Sequence, residues 1–252
     1  MDKAALEALD QKGYTVLEAL THVKAPPKAS HSTPHLFACE DGKGYWVKST
    51  SQHGLTAELV AGRLAARCGA GPTAAIIRVT PESVGGDPSL IRFEGVIVGS
   101  LNHDGAVNDR DLGDLGITTL DAAQIDSSQR AKVVAFQSWL GLGDLQLLLD
   151  MRTGKIMSFD HGECFGDTTS LTDPSVQIAD LPGIPPTHGN EADDVSAAVD
   201  EIESVSDHEL LGFVSGMPVG GPWQSDIDRR LRIAEWLAHR RDKLREVMKQ
   251  WL

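Results

Sequence analysis

The chain has 252 residues and a formal net charge of −13, which argues against a protein whose main partner is nucleic acid, because neutralising phosphates requires clustered lysine and arginine. The hydrophobic fraction is 41%, but no apolar run approaches the roughly 20 residues needed to cross a bilayer. The residues after Met1 also lack an apolar signal segment, so we expect a cytoplasmic protein that binds neither nucleic acid nor a membrane.

The N-terminal residues predict a short helix followed by strands. A helical pattern at 3–10 precedes alternating apolar residues over 14–20. Further strands are predicted over 34–40 and 44–50. The glycine-rich turn at 41–44 between them favours a hairpin, because glycine readily adopts the positive φ angles of tight turns. These strands would form a small antiparallel sheet.

A helix, two strands and a polar connection come next. Leucine and alanine residues form an apolar stripe over 55–68, and Gly69 supplies a stop signal. Strands are predicted over 74–80 and 90–98, on either side of a bend rich in glycine and proline. Residues 99–118 are polar and rich in glycine and aspartate, which favours an inter-lobe connection or a flexible loop.

The second half of the chain favours helices around one hairpin. A strongly apolar helix is predicted from about 127 to 140, ending at Gly141. Two short apolar runs, 147–150 and 156–159, flank a turn that contains glycine. This arrangement is typical of a β-hairpin.

The C-terminal part of the chain is predicted to be a long loop at 166–190 and then helices, the last of them over 225–251. That last helix carries a cluster of basic side chains. We expect the cluster to be a solvated helix face, and a docking surface is the alternative. Its members are Arg229, Arg230, Arg232, Arg240, Arg241, Lys243, Arg245 and Lys249.

Charged residues at the ends of predicted elements indicate the chemistry. Lys48 ends a strand, Asp144 follows the apolar helix, and Asp160 follows the second strand of the hairpin. One cation and two acids presented in this way suit a site that holds a nucleotide triphosphate, its metal and an attacking hydroxyl group. The sequence therefore predicts a phosphotransferase.

Four segments in a shared order and spacing carry a family resemblance: PHLFACEDG at 34–42 with YWVK at 45–48, AELVAGRL at 57–64, FQSWL at 136–140 with GD at 143–144, and FDHG at 159–162. They resemble the HipA-like kinases, relatives by fold of the protein kinases and the phosphoinositide kinases. The resemblance implies an α+β, two-lobed kinase-like fold, in which an N-terminal antiparallel sheet with one helix precedes a mainly helical C-terminal lobe. Residues 1–100 would form the nucleotide-binding lobe, and residues 101–252 the helical lobe with the catalytic hairpin.

The resemblance implies roles for side chains of the N-terminal lobe. Lys48 would contact the nucleotide phosphates, and Glu58 would pair with it and fix its ammonium group. Ser30, Ser32 and Thr33 fall where such kinases carry a phosphate-covering loop, whose hydroxyl and backbone N–H groups can bind phosphate oxygens. The alternative for Lys48 and Glu58 is that they are two surface charges. The alternative for the stretch with Ser30, Ser32 and Thr33 is a plain coil, since it contains no glycine.

The resemblance assigns two acids of the C-terminal lobe. Asp144 would orient or deprotonate the accepting hydroxyl group, and Asp160 would bind Mg²⁺, a hard cation that prefers carboxylate oxygen. Each could instead be a turn aspartate. His161 could be structural or catalytic, and Gly162 is expected to allow a turn that no side chain would tolerate.

One position departs from the family pattern. In the resembling kinases an Asn five residues after the catalytic Asp supplies a second metal ligand, and here that position is Leu149. Gln146 or Asp150 could supply an oxygen instead. A missing ligand would leave a slow kinase, a one-metal kinase, or a nucleotide-binding protein without phosphotransfer.

The leading hypothesis is an ATP- and magnesium-dependent kinase acting on serine or threonine of a protein, the activity that the resemblance implies. A pseudokinase, a nucleotide-binding regulatory module, is one alternative because of Leu149. A small-molecule kinase is another, because the chain is acidic and shows no evident protein-docking groove. The acceptor is therefore expected to be a hydroxyl group of a protein or of a small molecule.

Overall fold

The computed structural model describes residues 1–25, 34–49, 52–108, 126–142, 147–165, 191–223 and 225–249. Within these ranges the chain is an α+β protein, as the sequence predicts. A barrel of strands lies in its first part, and helices make up most of its second part. No helix in the described ranges is long and apolar enough to span a membrane.

Five strands close into a barrel in the order β1-β2-β3-β5-β4. β1 and β4 are parallel, whereas the other neighbouring strands are antiparallel. The predicted antiparallel sheet is therefore corrected to a closed barrel with one parallel pair, because a helical crossover before β4 brings it beside β1 in the same direction. The strands are β1 (Val16–Lys24), β2 (His35–Cys39), β3 (Gly44–Val47), β4 (Ala74–Val79) and β5 (Gly95–Leu101).

The hairpin between β2 and β3 confirms the turn predicted at 41–44. Gly42 has a φ of 76°, a conformation that glycine adopts readily. The Asp41 carboxylate accepts a hydrogen bond of 3.1 Å from the backbone N–H of Lys43. His35 pairs with Val47 at the open end of the hairpin, so β3 ends one residue before the lysine of the predicted site.

The α-helices in the described ranges are α1 (Lys3–Asp10), α2 (Gln52–Arg67), α3 (Ser127–Leu140), α4 (Glu191–Glu203), α5 (Asp207–Val214) and α6 (Ile227–Met248). Local signals set both ends of α3. Asp126 accepts a hydrogen bond of 2.7 Å from the backbone N–H of Gln129, and Gly141 ends the helix with a φ of 63°. The helix predicted over 127–140 is confirmed.

The start of the strand predicted over 90–98 is wrong. Residues Pro88–Phe93 form a 3₁₀-helix instead. Asp87 caps this helix by accepting a hydrogen bond of 2.8 Å from the backbone N–H of Ser89, and proline is favoured in a first helical turn. β5 therefore begins at Gly95 and continues into residues predicted as a polar connection.

A second sheet has the order β6-β7-β8. β7 and β8 form the predicted hairpin, in which Leu147 pairs with Ser158 and Asp150 pairs with Lys155. The turn follows Asp150. The other end of the hairpin is formed by Leu147, where β7 begins, and Ser158, where β8 ends. The strands are β6 (Ala106–Asn108), β7 (Leu147–Asp150) and β8 (Lys155–Ser158).

Part of the basic cluster lies in the interior, whereas Arg232 and Lys243 are exposed, so the expectation of a solvated helix face is corrected for the buried members. Arg229, Arg230 and Arg240 are buried. Arg240 donates hydrogen bonds to the backbone carbonyls of Trp139 (2.5 Å) and Ser138 (2.8 Å) at the end of α3. The last carbonyls of a helix have no intrahelical partner, so these arginine bonds fasten α6 to α3.

Two ion pairs join α1 to α6 and differ in burial. Arg230, whose side chain is 2% exposed, binds both carboxylate oxygens of Asp10 at 2.7 and 2.6 Å. Lys3 and Asp228 form a pair of 2.6 Å, in which the side chains are 48% and 61% exposed. The two pairs therefore offer a matched comparison across one helix contact.

We predict that Asp10→Ala lowers the free energy of unfolding by about 3 kcal/mol, because it leaves a buried guanidinium without its counter-charge. Asp228→Ala should have a much smaller effect, because solvent screens an exposed pair. Urea unfolding of both variants at pH 7 measures the difference. Equal losses would contradict the structural role assigned to the buried pair.

Candidate functional site

Lys48 lies at the centre of the site, immediately after β3, and is 8% exposed. Its Nζ lies 3.7 Å from Oε2 of Glu58 and forms a direct ion pair with Oδ1 of Asp160. Burial by itself lowers the pKa of Lys48, but the two carboxylates outweigh burial and raise that pKa above its usual value. The ammonium group therefore stays charged at neutral pH.

Glu58 projects from α2 and is fixed at both carboxylate oxygens. Oε1 accepts a hydrogen bond of 2.9 Å from the hydroxyl of Ser100 on β5. Oε2 accepts a bond of 2.9 Å from the backbone N–H of His161, and the same oxygen faces Lys48. The side chain thus connects the barrel to the segment that follows β8.

Asp160 is the one non-glycine residue with positive φ in the described ranges, with a φ of 61°. This left-handed conformation is costly for most side chains, and aspartate tolerates it better than most. Gly162 was expected to provide the special turn, and that expectation is wrong. Its φ is not positive, and a side chain there would meet only ordinary contacts, the nearest at 3.8 Å. The strained backbone conformation therefore belongs to Asp160, the residue that carries the predicted metal-binding carboxylate, and such strain is common at functional sites.

His161 lies beneath the site, where it is 2% exposed. Its Nε2 is 2.9 Å from the hydroxyl of Ser158, which in turn accepts a hydrogen bond of 3.1 Å from Gln137. The edge of the ring packs on Phe136, with centroids 5.6 Å apart. Burial lowers the pKa of His161, with Lys48 adding to the effect. A buried neutral ring of this kind favours the structural interpretation over the catalytic one.

A close backbone contact fixes the end of β8. The Ser158 N–H donates a hydrogen bond of 2.8 Å to the carbonyl of Ala70. A Cβ atom at Gly71 would lie 2.3 Å from the Ser158 carbonyl oxygen, so only glycine allows this approach. The loop after α2 therefore packs directly against the strand that leads to Asp160.

The structure brings together Lys48, Glu58 and Asp160 from three separate segments. The other predicted site residues lie outside the described ranges and stay predictions. They are Ser30, Ser32, Thr33, Asp144 and Gln146.

The alternative metal ligand Asp150 does not lie at the site. It accepts a hydrogen bond of 2.9 Å from the backbone N–H of Arg152 within the hairpin turn. That backbone bond is the main cause of the lowered pKa of Asp150. Leu147 is the residue of β7 that pairs with Ser158, at the end of β8 that leads to Asp160. Asp150 lies three residues further along β7, roughly 10 Å away at the usual rise of a strand. Leu149 is also buried in the core, so neither residue supplies an oxygen beside Asp160.

In the described ranges, Asp160 supplies donor chemistry that fits a divalent cation. Asp160 offers a carboxylate that is 26% exposed in its side chain. Mg²⁺ is often held by one or two carboxylates together with substrate phosphates rather than by a complete protein cage. The described ranges contain no group of three or more His, Cys, Asp or Glu residues that could hold a metal ion.

Ser100 is a site residue that the sequence interpretation missed. It is a polar residue near the end of the apolar strand β5, and this contrast was the available signal. Its hydroxyl orients Glu58 rather than a substrate. The pairing of β3 with β5 sets its position, since Trp46 pairs with Ser100 on these two neighbouring strands.

Residues 20–175 match a family model described as HipA-like kinase. No curated protein matches the sequence. Among solved structures, the chain is similar to the Helicobacter pylori proinflammatory kinase CtkA, with 12% sequence identity and a TM-score of 0.52 over 94% of this chain and 96% of that chain. At this identity the likeness shows a common fold.

We predict that Lys48→Met lowers the free energy of unfolding by about 3 kcal/mol at pH 8, because two carboxylates would then face each other without a cation. Urea unfolding at pH 8 measures this loss.

Lys43→Met is the matched control, because Lys43 lies on the same hairpin, is 60% exposed and has a carboxylate partner, Asp41, at 3.8 Å. Its effect should stay within about 0.5 kcal/mol. Equal losses from Lys48→Met and Lys43→Met would mean that the carboxylates do not depend on Lys48.

Proposed function

The chain belongs to the HipA-like kinase family, and on that premise we propose that it is an ATP- and magnesium-dependent kinase that transfers phosphate to a serine or threonine of a protein. The observation that carries the proposal is the position of the Lys48 ammonium group between Glu58 and Asp160. Family membership and the kinase fold of a solved relative support a phosphotransferase in general.

Lys48 would bind phosphate oxygens of ATP. It would exchange Asp160 for those oxygens and keep Glu58 as its partner. Two properties of the site support this role. Glu58 is held by Ser100 and by the His161 backbone, so it can fix the ammonium group without moving. The raised pKa of Lys48 keeps the group cationic, as phosphate binding requires.

Asp160 would hold Mg²⁺ through its carboxylate, and Gln146 is the proposed second oxygen donor. When bound, the metal ion would neutralise negative charge on the phosphate oxygens. Asp144 would orient or deprotonate the accepting hydroxyl group, a role worth on the order of 10²–10⁴ in rate. Ser30, Ser32 and Thr33 would cover the phosphates with hydroxyl and backbone N–H groups.

We also propose a two-lobed organisation, with residues 1–100 as the nucleotide-binding lobe and residues 101–252 as the helical lobe with the catalytic hairpin. The origins of the three site residues support it. Lys48 and Glu58 come from the barrel and from α2, whereas Asp160 follows the hairpin of the second sheet. The proposed nucleotide site would lie where the two parts meet.

A pseudokinase is the second candidate, and a specific observation favours it. Leu149 is buried in the core and Asp150 caps a distant turn, so these two positions provide no second metal ligand. A protein with this site could bind nucleotide and respond to it without transferring phosphate.

We predict that Mg·ATP raises the melting temperature of the wild-type protein and that ADP is released. Asp160→Asn should abolish both effects, and Asp144→Ala should keep ATP binding but lower turnover about 10²-fold or more. Asp150→Asn is the control and should behave as wild type, because asparagine can still cap the turn. Thermal shift and a coupled ADP-release assay provide the measurements.

Each result separates the candidate functions. ATP binding without turnover in the wild type would favour the pseudokinase. Turnover with a metabolite and no labelling of protein would favour a small-molecule acceptor. Turnover that persists in Asp144→Ala would overturn the role assigned to that residue, and the absence of ATP binding would overturn the proposal as a whole.

A further inference from the structure

Helix α2 carries two sets of polar contacts on opposite faces. Glu58 faces Lys48, whereas Thr56, Arg63 and Arg67 bind residues near the C-terminus. At about 100° per residue, the last three fall within roughly 40° of one another, and Glu58 lies about 160° from their centre. We name Thr56, Arg63 and Arg67 the α2 anchor.

Arg63 makes the central contact of the α2 anchor. Its guanidinium donates hydrogen bonds to the backbone carbonyls of Phe213 (3.0 Å), Ser215 (2.9 Å) and Gly216 (3.3 Å). These carbonyls lie at and just beyond the C-terminal end of α5. Helix carbonyls there have no intrahelical partner and carry partial negative charge. One arginine therefore donates to three backbone carbonyls at this helix end.

Arg67 continues the contact one turn later. It binds Glu201, donates a hydrogen bond of 3.1 Å to Glu209, and donates another of 3.2 Å to the hydroxyl of Ser204. The Glu209 hydrogen bond is the main cause of the raised pKa of Arg67. This residue thus fastens the end of α2 to the region where α4 ends and α5 begins.

Thr56 completes the α2 anchor at the start of the helix, close to Glu58. Its hydroxyl donates a hydrogen bond of 3.1 Å to the carbonyl of Trp223. The Trp223 indole donates a hydrogen bond of 2.9 Å to Val96 on β5, the strand that also carries Ser100. Every C-terminal partner of the α2 anchor lies between residues 201 and 223, beyond the matched range 20–175.

We propose that Arg63 is a positioning residue for the kinase site, because it holds α2 in the orientation in which Glu58 pairs with Lys48. This inference rests on the proposed function for its effect on ATP, but its structural part does not. A rotation of α2 about its axis would withdraw Glu58 from Lys48, and the α2 anchor resists that rotation from the opposite face. Residues 201–223 would therefore help to set the geometry of Lys48, Glu58 and Asp160 through α2, with no hydrogen bond or ion pair to those three side chains in the described ranges.

The test compares full-length Arg63→Met and Arg63→Lys with the control Arg241→Met. Arg241 is also a largely buried arginine that donates to a backbone carbonyl, Val205 at 2.6 Å, but it lies on α6 and its partners are residues 205, 207 and 242. The nucleotide-independent measurement is hydrogen exchange of the His161 amide, whose partner is the Glu58 carboxylate. The second measurement is the Kd for Mg·ATP.

Arg63→Met should speed exchange of the His161 amide and weaken Mg·ATP binding by about tenfold each, the scale of coupling between linked sites. Arg63→Lys should give intermediate values, because an ammonium group can replace part of the hydrogen bonding. Arg241→Met should change neither quantity by more than about twofold, with faster exchange confined to residues near 205.

Wild-type exchange at His161 in Arg63→Met would overturn the inference, as would an equal effect of Arg241→Met on both measurements. If the wild-type protein does not bind ATP, the proposed function fails. The exchange of the His161 amide then decides by itself whether Arg63 positions Glu58. If Arg63→Met does not fold, the same two comparisons are made with Arg63→Lys.

Discussion

A lysine ammonium group buried between two carboxylates is the interaction on which the arrangement of the site depends. A charge that is removed from water must be paired and hydrogen-bonded, or it destabilises the fold. The partners of Lys48 come from α2 and from the segment after β8, so the barrel, the helix and the hairpin have to meet at one point. The His161 backbone also donates to the Glu58 oxygen that faces Lys48, and Ser100 donates to the other oxygen.

Arginine side chains that bind backbone carbonyls hold the helical part in place around that point. Arg240 binds the end of α3, and Arg63 binds the end of α5. Each places a planar group with several donors against carbonyls at a helix end. The same type of contact thus fastens α6 to the helix before the predicted catalytic residue, and fastens α2 to the C-terminal helices.

Much of the fold could be predicted from local signals in the sequence. Contacts between residues far apart in the chain could not be predicted in this way. Asp126 and Gly141 mark the ends of α3 within the sequence, and glycine marks the turn at 41–44. Lys48 and Asp160 could be predicted because charge is unusual at the end of an apolar strand, whereas the role of Glu58 followed from the family resemblance. The parallel pairing of β1 with β4 leaves no local pattern. The burial of Arg240 could not be predicted from the sequence either. Its acceptors are backbone carbonyls about a hundred residues earlier in the chain, and a backbone carbonyl is not marked by any particular residue type.

Closure of the five-stranded barrel also restricts how an extended peptide could bind. Adding a strand to a sheet requires the unpaired N–H and C=O groups of an edge, and a closed barrel has none. In the described ranges, unclosed edges belong to the three-stranded sheet, whose outer strands are β6 and β8. A peptide that binds by backbone pairing must therefore avoid the barrel. Of these two outer strands, β8 leads to Asp160, but the N–H of its last residue, Ser158, already binds the Ala70 carbonyl.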